Sequence, residues 1–402
     1  MAEVKTLNQV LKDINKKFGI IKQDGTTEGI ASLGVSEQKI QGTLSFRSPG
    51  LDYCVYNRIP EGRIIEISGK EGSGKTTCAY LLAASYQQKE LERNPDNPRK
   101  ILYVDLEMTA DPSWAIKAGY NMYEDAPVGT VYLTPMDLDG EHILDMVRDF
   151  IKTGEVGLVI LDSLPYLVGQ QVYDESFEKK EMGGIAKLLT TFVSRITSLL
   201  IRYKTTFIGI NQLRDNIGGY GLPYTTPGGN AWKFGCSLRI MIKRGEFLDE
   251  DGNALTSSAE SPWGYRMEMA VLKIKTAKWD RKLGSTVFSY ADGVDILQDT
   301  IDVAIKLGLI DNSTQGSFKF IDLETHQILV DNEGNEIKVR GKKNVKPFLK
   351  EHPDLWKKLY DKIYEIIGNT NDPNVTMFDA MMNYDKLSLA EDIDFSKSVE
   401  DM

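Results

Sequence analysis

One octapeptide constrains this chain more than any other feature. Gly69-Lys70-Glu71-Gly72-Ser73-Gly74-Lys75-Thr76 fits the pattern G-x-x-x-x-G-K-[ST]. Glycines at this spacing let successive backbone N–H groups curl around phosphate, and a helix that follows presents its positive end to the same anion. The flanks supply the required context. Arg63-Ile64-Ile65-Glu66-Ile67-Ser68 reads as a strand, and Ala79, Leu82, Ala83 and Tyr86 recur at helical spacing. A chance glycine-rich turn would not sit between such elements. The octapeptide and Thr77 are therefore expected to hold a nucleoside triphosphate, ATP, with Lys75 on the β- and γ-phosphates and the Thr76 hydroxyl on Mg2+.

A phosphate loop predicts a parallel sheet, and the chain supplies its strands. Ile101-Leu102-Tyr103-Val104, Leu158-Val159-Ile160-Leu161 and Thr206-Phe207-Ile208-Gly209-Ile210 are nearly continuous apolar runs, as in strands covered on both faces. Helical stripes fall between them: Ile143, Met146, Val147 and Phe150, then Ile185, Leu188, Leu189, Phe192 and Ile196. Alternating strand and helix predict an α/β fold with a mostly parallel central sheet. After Ser237, short strands and turns such as Asp251-Gly252 predict an antiparallel extension. Four regions are expected: an N-terminal helix and linker for subunit packing (1–42), the core (43–297), a small C-terminal α/β domain (298–370) and an acidic, solvated tail (371–402).

Charge bears on the partner. The formal net charge is −10, which argues against a general nucleic-acid coat but permits a local basic surface. Arg340, Lys342, Lys343, Lys346 and Lys350 form the densest basic cluster, readable as a solvated helix face or as a patch that captures duplex. The acidic end is either a solvated tail or a competitor for the protein's own DNA surface. No run of about 18 apolar residues occurs and the start is polar, so neither a membrane nor a signal peptide is expected. Three scattered cysteines, Cys54, Cys78 and Cys236, suggest no disulfide framework or zinc site and fit a reducing cytoplasm. The three histidines read as non-ligands.

Carboxylates at strand ends supply the remaining chemistry. Asp162, closing Leu158–Leu161, is placed to hold magnesium directly or through water. Glu107, just beyond Tyr103-Val104-Asp105-Leu106, is placed to activate water beside the γ-phosphate. Asp105 is its rival, with a side chain expected to alternate away from that of Glu107. Gln212, ending the next strand, can hydrogen-bond the γ-phosphate and report it to the loop that follows.

Together these segments resemble the bacterial RecA recombinase family over nearly the whole chain. The resemblance rests on the extended phosphate loop through Thr77, with an internal Glu71, and on Val104-Asp105-Leu106-Glu107-Met108-Thr109-Ala110-Asp111-Pro112. It also rests on Ile210-Asn211-Gln212-Leu213-Arg214 followed by Gly228-Gly229-Asn230-Ala231-Trp232-Lys233-Phe234. It implies a RecA-type ATPase core, with Asp111 at the adenine edge, Trp114 in the place of a stacking tyrosine, and Tyr290 as a second aromatic near the base. Met182, Gly183 and Lys187 fall in a first DNA loop. Arg214, Tyr220, Gly228, Gly229 and Asn230 fall in or beside a second. Lys273 and Lys275 match a lysine pair that reaches a neighbouring subunit's γ-phosphate. Departures are Trp232 for a leucine, Gly235 for an aromatic, Asn216 for a lysine and a longer 245–263 segment. They mark a divergent member of the family.

The expected function is an ATP-dependent recombinase that forms a helical homo-oligomeric filament on single-stranded DNA and pairs it with a homologous duplex. Single-strand-binding and mediator proteins are further candidate partners. A loop with Arg214 and Tyr220 among glycines can meet phosphate and stack on bases without choosing sequence. The rivals are a hexameric helicase or repair ATPase on the same core, and an ATP-gated DNA scaffold without a working base. A small-molecule kinase would need a basic lid and an acceptor pocket, and neither is found in the sequence.

Overall fold

The computed structural model describes residues 6–21, 27–29, 42–170, 184–215, 224–250, 252–277, 280–322, 325, 327–331 and 333–369. The chain divides into two compact units, 1–40 and 41–402. In the first, helix α1 (Leu7–Phe18) opens on a reciprocal cap. The Thr6 hydroxyl accepts from the Gln9 backbone N–H at 3.3 Å, and the Gln9 side chain accepts from the Thr6 N–H at 2.8 Å. Two donors that a helix start leaves unpaired are thereby satisfied. Ile20–Ile21 then pairs antiparallel with Thr27–Glu28. Most of the expected linker and the acidic tail lie outside the described residues.

The second unit is built on a ten-stranded sheet. Its strands are β1 (Ile64–Gly69), β2 (Lys100–Asp105), β3 (Thr130–Leu133), β4 (Val156–Asp162), β5 (Thr206–Gln212), β6 (Leu238–Leu248), β7 (Gly264–Ile274), β8 (Leu283–Ser289) and β9 (Gly293–Val294). They lie in the order β9-β8-β7-β6-β1-β5-β4-β2-β3, with the short Ala254–Leu255 strand pairing on β6. From β6 to β3 the pairings are parallel; from β6 to β9 they are antiparallel, as the change in pattern after Ser237 predicts.

Every residue of β1 and β4 is buried, because each strand feeds two cores in alternation. Ile65, Ile67, Leu158 and Ile160 join the cluster that holds helix α2 (Lys75–Arg93). Ile64, Val159 and Leu161 join the opposite cluster with α4 (Gly140–Lys152) and α5 (Gly184–Tyr203). Helix α5 is long and apolar enough to cross a membrane, yet its Leu188, Leu189, Phe192, Ile196 and Leu200 are buried in that cluster. The short α3 (Pro112–Lys117) follows β2.

Parallel register brings the chemistry to one edge. Gly69 lies beside Gln212, and Asp105 beside Asp162, so the phosphate loop, both candidate acids and Gln212 share the carboxyl ends of four strands. The long 245–263 segment has a simple form: β6 runs on to Leu248, and Ala254–Leu255 folds back on Phe247–Leu248. Helix α6 (Gly229–Gly235) precedes β6.

Residues beyond β9 form α7 (Ile296–Lys306), a three-stranded antiparallel sheet, α8 (Lys342–Glu351) and α9 (Pro353–Asn369). Their Ile301, Phe320, Leu349 and Ile363 extend the cluster that contains Ile67. The Tyr364 hydroxyl donates to the buried Asp52 carboxylate at 2.8 Å, a tie between residues 312 positions apart.

Candidate nucleotide site and DNA loop

The phosphate loop has the backbone its glycines foretell. Gly72 and Gly74 take φ of 65° and 93°, where side chains are strained. A methyl on Gly69 would lie 2.5 Å from the Ile242 carbonyl oxygen, so that position is closed to any other residue. The Ser73 hydroxyl is buried without a hydrogen-bond partner, the mark of a cradle that expects an acceptor. Lys75 turns back and donates to the Lys70 carbonyl at 2.7 Å. Its burial lowers its pKa, against the opposing pull of Asp162, Glu107 and Glu71. These residues fit a triphosphate.

At the strand ends, the Thr76 hydroxyl donates to Asp162 at 2.8 Å and the Tyr103 hydroxyl donates to the same oxygen at 3.0 Å. Burial pushes the Asp162 carboxyl up to about 6, the hydrogen bond from Thr76 working against it. A hydroxyl and a carboxylate held this close are a hard-oxygen pair suited to magnesium. The Asp162–Ser163 peptide is cis.

The two rival acids separate. Glu107 accepts hydrogen bonds from the Ser163 hydroxyl and, at 3.4 Å, from the Gln212 side chain. Asp105 instead accepts from the Met108 N–H at 2.8 Å, the Ala110 N–H at 3.0 Å and the Tyr132 hydroxyl at 2.6 Å. Its lone pairs are taken up by the turn that follows β2, which leaves Glu107 beside the loop.

Asp111 caps α3, accepting from the Ser113 hydroxyl at 2.6 Å and from the Ser113 and Trp114 N–H groups; the Ser113 hydroxyl above all, then these N–H bonds, hold its carboxyl below the usual range. Trp114 donates its indole N–H to Thr77 at 2.8 Å. Its ring lies 5.0 Å from that of Phe288 and 6.0 Å from that of Tyr290, with Lys117 over its face. Tyr265 completes the aromatic group, 5.8 Å from both Phe288 and Tyr290. Sequence reasoning missed Tyr265; it reads as one buried position in an antiparallel strand, and only the fold of β7 brings it beside the loop.

The second candidate DNA loop leaves the end of β5 and returns at α6. Its neck is a short ladder in which Arg214 pairs with Thr225 and Asp215 with Tyr224. Both arms are anchored on Glu66, fully buried in the middle of β1. Its carboxylate accepts from Asn211 at 2.7 Å, from the Trp232 indole at 3.0 Å and from Arg239. Asn211 also donates to the Pro227 carbonyl at 3.0 Å, and Arg239 to the Thr226 hydroxyl at 3.2 Å. The missed signal was plain: a charged residue amid isoleucines in a fully buried strand needs dedicated partners. Gly228 precedes α6, Gly229 and Asn230 open it, and Lys187 is exposed on α5. Met182, Gly183 and Tyr220 lie outside the described residues.

Lys273 and Lys275 stand apart from their own chain's phosphate loop. Lys273 pairs with Arg239, which pairs with Glu66, three residues short of Gly69. At ~3.3 Å per residue along the strand and ~4.8 Å across each pairing, the backbones lie on the order of 14 Å apart. Both ammonium groups donate to the Phe234 carbonyl, at 3.0 and 2.9 Å, at the end of α6. In the basic cluster, Lys346 pairs with Asp295 and lies over the Trp263 ring, so it is not a free member of a solvated patch.

A central strand ending in a phosphate loop, beside strand ends that carry Asp162, Glu107 and Gln212, defines a phosphate-loop nucleotide-binding protein of the α/β class. The profile of the RecA N-terminal domain matches residues 5–295. Protein RecA of Sulfurovum sp. (strain NBC37-1) is 31% identical over 367 residues, spanning 90% of this chain and 93% of that protein. Protein RecA of Chlorobium chlorochromatii (strain CaD3) is 31% identical over 373 residues, spanning 92% and 93%. Protein RecA of Campylobacter hominis is 31% identical over 369 residues. The chain belongs to the RecA family of DNA recombinases.

Proposed function

We propose that this protein hydrolyses ATP in a DNA-dependent manner while assembled as a helical filament on single-stranded DNA, and in that state pairs the strand with a homologous duplex. The single observation that carries the reading is the shared strand end of β5. Gln212 touches Glu107 while the adjacent Asn211 holds the neck of the loop, so one segment meets both the candidate catalytic acid and the candidate DNA surface.

In this reading Gly69 to Thr77 hold the phosphates, Lys75 leaves the Lys70 carbonyl to meet them, and Asp111, Trp114 and Tyr290 border the base. Thr76 and Asp162 hold Mg2+, which supplies charge neutralisation on the phosphate oxygens when bound. Glu107 orients and deprotonates water, and Gln212 senses the γ-phosphate. Arg214, Tyr220 and Gly228 to Asn230 serve the strand in the second loop, with Met182, Gly183 and Lys187 in the first. Lys273 and Lys275 serve a neighbour's site, the assignment favoured by their distance from their own. The regions 1–42, 298–370 and 371–402 act in subunit packing, as a C-terminal accessory domain and as an acidic tail, in the cytoplasm.

Electron microscopy with a non-hydrolysable ATP analogue and single-stranded DNA tests this. Extended helical filaments are expected, with phosphate release stimulated by the strand. Closed rings that separate duplex strands processively would support the helicase reading instead.

A further inference from the structure

Two buried acids at the strand ends each accept from a phenol of one aromatic stack. Asp105 and Asp162 are register partners on β2 and β4, both almost fully buried, so two like charges stand side by side. Carboxylates in such a place need donors. Asp105 takes the Tyr132 hydroxyl at 2.6 Å, and Asp162 takes the Tyr103 hydroxyl at 3.0 Å. Tyr103 lies two residues before Asp105, on the same face of β2, and the register sets it diagonally from Asp162. A diagonal across two strands is within reach of an aromatic side chain.

The ring that carries this hydroxyl is locked by packing. Tyr103 is fully buried, and its register partner Tyr132 stacks on it, centres 5.9 Å apart and planes 17° from parallel. Tyr80 of α2 packs against it at 6.0 Å. Burial raises the Tyr103 phenol well above its ordinary pKa, so it stays protonated and donates. The Thr76 hydroxyl donates to the same Asp162 oxygen at 2.8 Å. Two donors, one from β2 and one from α2, thus fix one carboxylate oxygen. The other accepts no hydrogen bond among the described residues, and it is the one open to a metal or its water.

We propose that Tyr103 is a positioning residue for magnesium: its hydroxyl holds the Asp162 carboxylate in the orientation that takes the metal, and so lowers the Mg2+ concentration at which nucleotide is held. This rests on the reading of Thr76 and Asp162 as the magnesium pair. Thr76 is itself assigned to the metal, whereas Tyr103 acts only through the acid. Groups that orient a metal ligand from outside the ligand set contribute to metal affinity without touching the ion.

Titration of Mg2+ against the full chain and a fluorescent, non-hydrolysable ATP analogue tests this. Tyr103→Phe removes one oxygen and keeps the ring with its packing. The Mg2+ concentration at half-maximal analogue binding should rise by about 10-fold, the lower end of what losing such a partner costs a metal site. Analogue binding in EDTA should match wild type, which also shows that the variant is folded. With Mn2+ as the metal and the paramagnetic resonance of the free ion as the readout, the same loss of affinity is expected. Tyr132→Phe takes the equivalent hydroxyl from Asp105 and should leave the Mg2+ requirement unchanged. A wild-type Mg2+ requirement in Tyr103→Phe overturns the assignment. So does an equal weakening with and without Mg2+, which would mean that the hydroxyl only supports the fold. An equal rise in Tyr132→Phe also overturns it, by making the aromatic stack responsible rather than the bond to Asp162. If wild type binds the analogue equally with and without Mg2+, the magnesium reading of Thr76 and Asp162 falls instead.

Discussion

The Gln212 side chain donates to the Glu107 carboxylate at 3.4 Å, reaching across the end of β4 that separates their two strands. Glu107 is also held by Ser163, the residue after Asp162. The candidate water-activating acid is thus positioned by the strand that leads to the candidate DNA loop and by the strand that ends in Asp162, the candidate magnesium ligand.

Glu107→Gln keeps the shape and the hydrogen bonds but cannot take a proton. Phosphate release should fall by ~10²–10⁴ while ATP and DNA binding persist, as read by titration. Near-normal DNA-stimulated turnover would remove Glu107 from the role. Lys75→Ala should instead lose nucleotide binding itself.

The distance of Lys273 and Lys275 from their own loop makes a mixing experiment informative. Glu107→Gln protein and a Lys273→Ala, Lys275→Ala protein should each be nearly inactive. Random co-assembly should pair intact lysines with an intact Glu107 at roughly a quarter of the interfaces. Hydrolysis should reappear on mixing and rise with DNA. Co-filaments as inactive as their parents would exclude action across the boundary.

Glu66 is fully buried and accepts from three donors. Glu66→Ala strands the Arg239 guanidinium and should cost about 3–5 kcal/mol in denaturant unfolding. Trp232→Leu, which leaves Arg239 and Asn211 on the carboxylate, should cost less. A Glu66→Ala protein within 1 kcal/mol of wild type, a threshold of about the size of one hydrogen bond, would refute the anchoring role.

Asp299 accepts from the Ser48 and Thr286 hydroxyls in a fully buried site, and burial pushes its carboxyl up to about 7. The folded protein therefore retains this proton while the unfolded chain releases it near the ordinary value of 3.8. The sign follows: between these values stability falls as pH rises. Asp299→Asn removes that loss. Its thermal midpoint should exceed wild type at pH 8 and approach it near pH 5, by calorimetry. An equal difference at both pH values would show that the carboxyl does not titrate this way.

Much of this protein was legible in the sequence. The phosphate loop needs only local geometry, and its glycines state it. The nearly continuous apolar runs at 101–104, 158–161 and 206–210 identify buried parallel strands, because only a sheet covered on both faces tolerates them. With the strands parallel, Asp162, Glu107 and Gln212 had to fall at one edge. What tertiary structure decided are the pairings between residues distant in sequence. Glu66 found Trp232 and Arg239 more than 160 residues away, as hydrogen bonds spanning 166 and 173 positions. Tyr265 came to the aromatic group of Phe288 and Tyr290, Lys346 found Asp295, and Lys273 and Lys275 went to the far end of their strand from the phosphate loop. Periodicity records which face of an element is buried, whereas the partner across the interface is chosen by strand order and register, which no local pattern encodes.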